Sequence, residues 1–379
     1  MTEERDAEPA SRAPGARRRL LFSLLTVVVV AGAFLVAQRL APAPPEPSST
    51  PAAHQPPAPV TTAPAAPSEV PRKEEGPRFE AWVDEVAEWL DIPRRAMHAY
   101  AGATVALGEE MPDCHLSWVT LAGLGKITTD HGRVGGELDE DGRPGDPIGT
   151  VEMKDFSGAT ISVRGSAGPL QLSPAVWQRW GRGASGGEPD VQDIDDAALA
   201  AGHALCAEGR DLARGDDWLA GVATLHPAPL FLHRVLATAN VYGTVGQNPE
   251  PPNPAALRAV SFAIDKIGLP YVWGGNGQEK GDAGFDCSGL TTAAYASAGI
   301  ELLRTAHWQY NSVPLVPPDE EPRLGDLVFY GNPATKIHHV GLYIGNQQMV
   351  DAPTFGQAVQ VHPYRKPNDD YAGAGRPAH

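Results

Sequence analysis

Residues 20–37 (LLFSLLTVVVVAGAFLVA) carry no charged side chain and follow directly on Arg17-Arg18-Arg19. At ~1.5 Å per residue, a helix over this stretch nearly crosses a ~30 Å hydrocarbon core. The arginine cluster orients such a helix with the N-terminus inside and everything downstream outside. We read it as an uncleaved, single-pass anchor preceded by a cytoplasmic tail, residues 1–19. The rival is a cleaved leader: Ala41-Pro42-Ala43 has the small residues of a cleavage site, but Pro44 comes next, a poor residue there. Residues 38–78 are rich in Pro, Ala, Ser and Thr and have no apolar period. Such a tract leans towards polyproline conformation, extends ~3.1 Å per residue and buries no core. It reads as a stalk, which confines the globular part of the chain to residues 79–379.

Residues 79–243 read as mostly helical. Phe79, Trp82, Val83, Val86 and Leu90 recur at helical spacing, and Asp91-Ile92-Pro93 ends that helix and starts another. Further helices are expected over 116–127, 174–180, 194–207 and 218–225, with Asp193 or Asp195 as a cap. The acidic stretch LDEDGRPGDP (138–147) has only a loose likeness to a calcium loop and reads as a solvated loop. A proline-rich linker, 244–254, precedes an amphipathic helix over 255–268. Short strands are expected over 271–273, 326–330, 340–344, 349–350 and 358–362. A helical start and a strand-rich second half make a multidomain chain: a mostly α domain, then an α+β domain over 255–379.

Net charge is −16, which speaks against nucleic acid as a partner, since phosphate binding wants a basic face. The cysteines are Cys114, Cys206 and Cys287. Neither CxxC nor HxxxH spacing is present, so no metal site and no cofactor are expected. In an exported chain Cys114 and Cys206 can pair and leave Cys287 as a reactive thiol. Gly284-Phe285-Asp286-Cys287-Ser288-Gly289-Leu290 places Cys287 at the start of an apolar helix, where unpaired N–H groups and the helix dipole favour thiolate. A thiolate needs a base, and the base an orienter. A hairpin centred near Gly345 sets His339 opposite Asp351 on one face and turns His338 to the other.

Five ordered motifs carry a resemblance: Tyr271-Val272-Trp273-Gly274-Gly275, Phe285-Asp286-Cys287-Ser288-Gly289-Leu290, Arg304-Thr305-Ala306, Leu324-Gly325-Asp326-Leu327-Val328-Phe329-Tyr330, and His339-Val340-Gly341-Leu342-Tyr343-Ile344-Gly345. Together they resemble the NlpC-type cysteine peptidases. The resemblance implies a papain-like α+β fold and cleavage of peptidoglycan stem peptides, usually between D-glutamate and the diamino acid. It implies Cys287 as nucleophile, His339 as general base and acid, and Asp351 as third member, where many relatives carry histidine and others an acidic or amide residue. Tyr271 is expected to hydrogen-bond near the thiolate. Asp286 and Ser288 are expected either to contact the stem peptide or to cap the helix, and the Cys287 N–H to serve as oxyanion donor.

The helical domain carries a second resemblance, in Cys114-His115-Leu116-Ser117-Trp118, residues 124–132 (LGKITTDHG), residues 167–174 (AGPLQLSP) and residues 193–198 (DIDDAA). It is similar to lysozyme-like lytic transglycosylases. In active relatives a glutamate acts where Thr128 stands, and a threonine cannot donate and retrieve a proton near neutral pH. Two residues along a helix turn ~200°, so Asp130 faces away. The Tyr-Asn pair of relatives falls near Leu225-His226 and is replaced. The expectation is a domain that binds or positions glycan without cleaving it, with Gln171 retained either to touch sugar or for structure. The resemblance also supports a Cys114–Cys206 disulfide. The chain is thus expected to be a membrane-held, extracytoplasmic peptidoglycan hydrolase, serving division, growth, or a secretion or DNA-transfer machine. A non-catalytic wall scaffold and a bifunctional hydrolase are the alternatives.

Overall fold

The computed structural model describes residues 62–66, 69–71, 75–248 and 250–378. The expected tail, anchor and most of the stalk lie outside the described residues. Among those described, no helix is long and apolar enough to cross a membrane.

Among the described residues seven α-helices come first: α1 (Pro77–Leu90), α2 (Arg94–Glu110), α3 (Trp118–Thr129), α4 (Pro174–Trp180), α5 (Ile194–Cys206), α6 (Gly215–Leu225) and α7 (Pro229–Gly246). Phe79, Val83, Val86, Ala87 and Leu90 form the buried stripe of α1, which stops at Asp91 in a left-handed turn. Ser117 caps α3 and Asp193 caps α5. Helices α3 and α7 pack together so closely that a Cβ on Gly123 would lie 3.2 Å from the Val235 carbonyl oxygen. Both are buried around nearly their whole circumference. That is why α7, lacking a polar face, had no amphipathic signal in the sequence. Cys114 and Cys206 form a disulfide with 5.5 Å between their Cα atoms, tying the loop before α3 to the end of α5.

The second half begins with α8 (Pro254–Asp265), capped by Asn253. It continues through α9 (Cys287–Ser297), capped by Asp286, and α10 (Ala306–Ser312), capped by Thr305. Strands β1 (Leu327–Asn332), β2 (Lys336–Gly345), β3 (Gln348–Asp351), β4 (Gln360–Pro363) and β5 (Tyr371–Gly375) make one antiparallel sheet of order β4-β3-β2-β1-β5. Alternation splits its side chains between two faces. Leu327, Phe329, Val340, Leu342, Val350 and Val361 join the helices in the main core. Val328, Tyr330, Tyr343, Met349, Tyr364 and Ala374 form a second, aromatic-rich cluster on the other face. Residues 271–273, expected as a strand, make only isolated bridges, such as Tyr271 to Phe285, because the chain turns at once through Gly274 (φ 74°).

The boundary between the halves differs from the expectation. Helix α7 runs past residue 243, and a single apolar cluster extends from Phe79 to Val361. The Asn240 amide donates to the carbonyls of Ile344 (2.9 Å) and Gly345 (3.0 Å), so α7 grips the far end of β2. Residues 62–66, expected as bare stalk, cross this same junction. The Ala65 N–H donates to Asn240 Oδ1 (3.0 Å), and the Ala63 carbonyl accepts from Asn346 Nδ2 (3.1 Å). An extended Pro/Ala tract has no hydrogen bonds of its own, and two asparagine side chains supply them here. Gly243 makes the approach feasible, since a Cβ there would come within 2.0 Å of the Ala65 oxygen.

Candidate active site

The nucleophile end is built around Asp286. Its Oδ1 accepts from the Gly289 N–H (2.6 Å), which caps α9 and sets Cys287 at the first helical position. Its Oδ2 accepts from the Gly274 N–H (3.0 Å), and Arg304 closes a two-pronged ion pair at 2.9 Å on each oxygen. Gly289 has to be glycine because a Cβ would sit 2.0 Å from the Gly275 oxygen. One carboxylate thus binds the glycine-rich loop, the helix start and the Arg304 segment together. Ser288 is buried, with its hydroxyl 3.3 Å from Asp286 Oδ1 and 3.1 Å from Arg304. Of the two roles expected for Asp286 and Ser288, the geometry is that of support for the helix: their polar atoms are engaged inside the protein. Arg304 was legible only as a motif residue, and its role comes from the fold.

Cys287 is 8% exposed, and its thiol lies close enough to the His339 ring to act on that ring's charge. The other side of that ring meets Asp351, with Nε2 2.6 Å from Oδ2. His338 points away and pairs with Asp370 on the surface (2.7 Å), as the strand alternation requires. The expected register needs correction. Leu342 pairs with Val350 and Tyr343 with Met349, so Asp351 lies level with Gly341 and not with His339. The hairpin turns later than Gly345, through Asn346 and Gln347, both with positive φ. A shift of two leaves side-chain parity unchanged, so His339 and Asp351 stay on one face and meet diagonally. Gly341 keeps the space between them open: a Cβ there would lie 3.4 Å from the Asp351 Cβ and 2.5 Å from the Met349 sulfur.

Asp351 is 1% exposed and has a second histidine partner, His362 on β4, whose Nε2 lies 2.8 Å from Oδ1. Burial works against the Asp351 charge, but His362 and His339 hold its pKa well below the usual carboxylate range. Burial likewise opposes charge on His339, yet the hydrogen bond to Asp351 and the neighbouring Cys287 raise it to about 10. Tyr271 is pushed up to about 12 by burial and by the neighbouring Cys287, so near neutral pH it carries its proton beside the thiol. A base held charged by a buried carboxylate beside a thiol is an arrangement for thiolate attack on an acyl carbon. His362 was not singled out from the sequence. No local signal in the sequence places it, because the loop 352–359 between β3 and β4 has no period that fixes their register.

At the other candidate centre, Thr128 is buried and its hydroxyl donates to the carbonyls of Leu124 (2.8 Å) and Pro169 (3.0 Å). Asp130 sits in a left-handed turn beyond α3 and pairs with Lys126 at 2.6 Å. Burial opposes its charge, but Lys126 outweighs this and lowers its pKa, so it is no proton donor near neutrality. His226 is buried and stacked on Phe231 at 4.0 Å. Gln171, expected at a sugar subsite or in a structural role, takes the second: its amide is spent on Val151 N–H (2.7 Å), the Gly149 carbonyl (2.8 Å) and Ser166 (3.0 Å).

The NlpC/P60 family model matches residues 268–372. Peptidoglycan endopeptidase RipB of Mycobacterium tuberculosis is 41% identical over 128 residues, covering 30% of this chain and 52% of RipB. Gamma-D-glutamyl-L-lysine dipeptidyl-peptidase of Bacillus cereus is 36% identical over 129 residues, 33% of this chain and 37% of that protein. Bifunctional muramidase/DL-endopeptidase CwlT of Bacillus subtilis is 43% identical over 96 residues, 25% of this chain and 28% of CwlT. The chain thus spans about half the length of RipB and less of the other two. Cys287, His339 and Asp351 all fall inside the matched stretch, and residues 268–372 are an NlpC/P60 domain.

Proposed function

We propose that this chain is a peptidoglycan endopeptidase that cuts stem peptides between D-glutamate and the diamino acid. The observation that carries the reading is His339 bonded to the buried Asp351 carboxylate at 2.6 Å with the Cys287 thiol beside its ring. The Cys287 thiolate attacks the D-glutamyl side-chain carbonyl. As the first residue of α9, its own N–H has no intrahelical acceptor and can receive the oxyanion. The tetrahedral intermediate collapses, the C–N bond breaks, and His339 gives its proton to the departing amine. A thioester remains. His339, now neutral, takes a proton from water, the hydroxide adds to the thioester carbon, and Cys287 leaves as thiolate. The bond choice is supported by the names of the B. cereus and B. subtilis relatives. Incubating defined muropeptides with wild type and with Cys287→Ala tests it by mass spectrometry. Wild-type cleavage elsewhere, or cleavage by the variant, refutes it.

In this reading the helical half is a lysozyme-like module that positions glycan without cutting it, supported by the buried Thr128 hydroxyl where an acid is required. Release of 1,6-anhydro products from wall by Cys287→Ala protein overturns this and favours the bifunctional alternative. Residues 20–37 anchor the chain with its folded part outside the membrane, supported by the Arg17-Arg18-Arg19 flank. Recovery of the full-length chain in the soluble fraction after alkaline carbonate extraction of membranes refutes the anchor.

A further inference from the structure

Asp351 uses one oxygen on His339 and the other on His362, at 2.6 and 2.8 Å. The three side chains lie on neighbouring strands. Gly341 of β2 and Gln360 of β4 are level with Asp351, and the two histidines stand two positions away, on opposite sides. His362 Nδ1 lies 3.1 Å from the Pro363 carbonyl oxygen. A carbonyl and a carboxylate only accept, so both ring nitrogens must donate, and His362 in this geometry is an imidazolium. Its ring is 12% exposed. Around it stand His339 of β2, Tyr330 of β1, and Tyr364, Lys366 and Asp369 after β4, lining a cavity of about 390 Å³.

A buried carboxylate stays ionised only while its oxygens are satisfied. Without its second donor, Asp351 loses charge or rotates, and His339 beside Cys287 loses its counter-ion. We propose that His362 is a fourth member of this site, a positioning residue that keeps Asp351 ionised and aimed at His339. The inference deepens the endopeptidase reading, since it concerns the same site. Its main readout does not depend on that substrate.

The test measures Cys287 alkylation by iodoacetamide against pH in the whole chain, together with Tm and with kcat and KM on a muropeptide. His362→Phe is expected to move the acid limb of alkylation up by about one pH unit and to lower kcat by about 10- to 100-fold at similar KM. His362→Gln keeps an N–H donor and is expected to recover most of both. Should the Phe variant fail to fold, His362→Ala with and without added imidazole reads the same limb, with rescue expected through the adjoining cavity. An unmoved limb and kcat in a folded variant overturn the proposal. So does a loss of Tm alone, which is what a merely structural role predicts. A shifted limb in a protein whose wild type leaves muropeptides intact supports His362 and removes the endopeptidase reading instead.

Discussion

Replacing Asp351 by asparagine removes one charge and keeps the shape of the side chain. The His339 Nε2 lies 2.6 Å from Asp351; the carboxylate is buried and the imidazole half-buried. With charge centres ~4 Å apart and an effective dielectric of about 20, the attraction is about 4 kcal/mol, or about three pH units on the imidazolium. His339, raised to about 10, then falls to about 7. At neutral pH the His339 imidazolium changes from fully to about half populated, and the ring loses its orienting partner. Asp351→Asn is therefore expected to lower kcat on a muropeptide about 10²- to 10³-fold, with KM changing little. Alkylation of Cys287 is expected to begin at higher pH by about two units. A kcat within about threefold of wild type, with the alkylation onset unmoved, refutes the claim that Asp351 sets the charge of His339.

The same pair makes stability depend on pH. The folded pKa of His339 is raised from 6.5 to about 10, so its contribution is complete below about 6.5 and fades as pH rises towards 10. The Asp351 pKa is depressed, so its contribution is complete above about 4 and is lost on acidification. Thermal melts should peak in Tm between those limits, and the peak should flatten in Asp351→Asn. Thr128→Glu forces a carboxylate against the Pro169 and Leu124 carbonyls. It should cost about 2–3 kcal/mol in a denaturant melt without giving glycan cleavage. Cys114→Ser with Cys206→Ser opens a loop of 92 residues' separation and should cost about 4–5 kcal/mol on the chain-entropy estimate, read as a lower urea midpoint. Asn240→Ala strands the Ala65 N–H and loses both bonds to β2. It should cost about 2–3 kcal/mol in the same melt.

Cys287, His339 and Asp351 were legible because each link uses a short-range rule: a cap before a helix, strand alternation, and hairpin parity. Parity survived a register error because a shift of two returns every side chain to its own face. His362 was out of reach of the hairpin alone, since its partner strand β4 joins through a loop whose length no periodicity fixes. Arg304 illustrates the same limit. Its bond to Asp286 spans 18 positions and depends on how the chain folds back over the glycine loop. For Gln171 the sequence left two uses open, and its hydrogen bonds to backbone groups match the structural one. Helix α7 was missed because buried helices have no polar face to mark their period.

The packing at α7 ties the helical half to the strands of the cysteine site. Strands β2 and β3 carry His339 and Asp351 at one end and the Gly345-Asn346-Gln347 turn at the other. Asn240 of α7 holds that turn end through two carbonyls, and residues 62–66 lie against the same asparagine and against Asn346. Thr244 also lies against the turn, with its hydroxyl 1.9 Å from where a Gly345 Cβ would be. A hairpin fixed at its turn by buried hydrogen bonds has little freedom to slide, and a slide of one residue alone would carry Asp351 to the wrong face. The helical half thus has a mechanical use that needs no glycan chemistry. Loosening it should impair the cysteine site from a distance. In Asn240→Ala, kcat should fall more than KM rises, and an unchanged kcat in a measurably destabilised protein would show that the hairpin holds its register without α7.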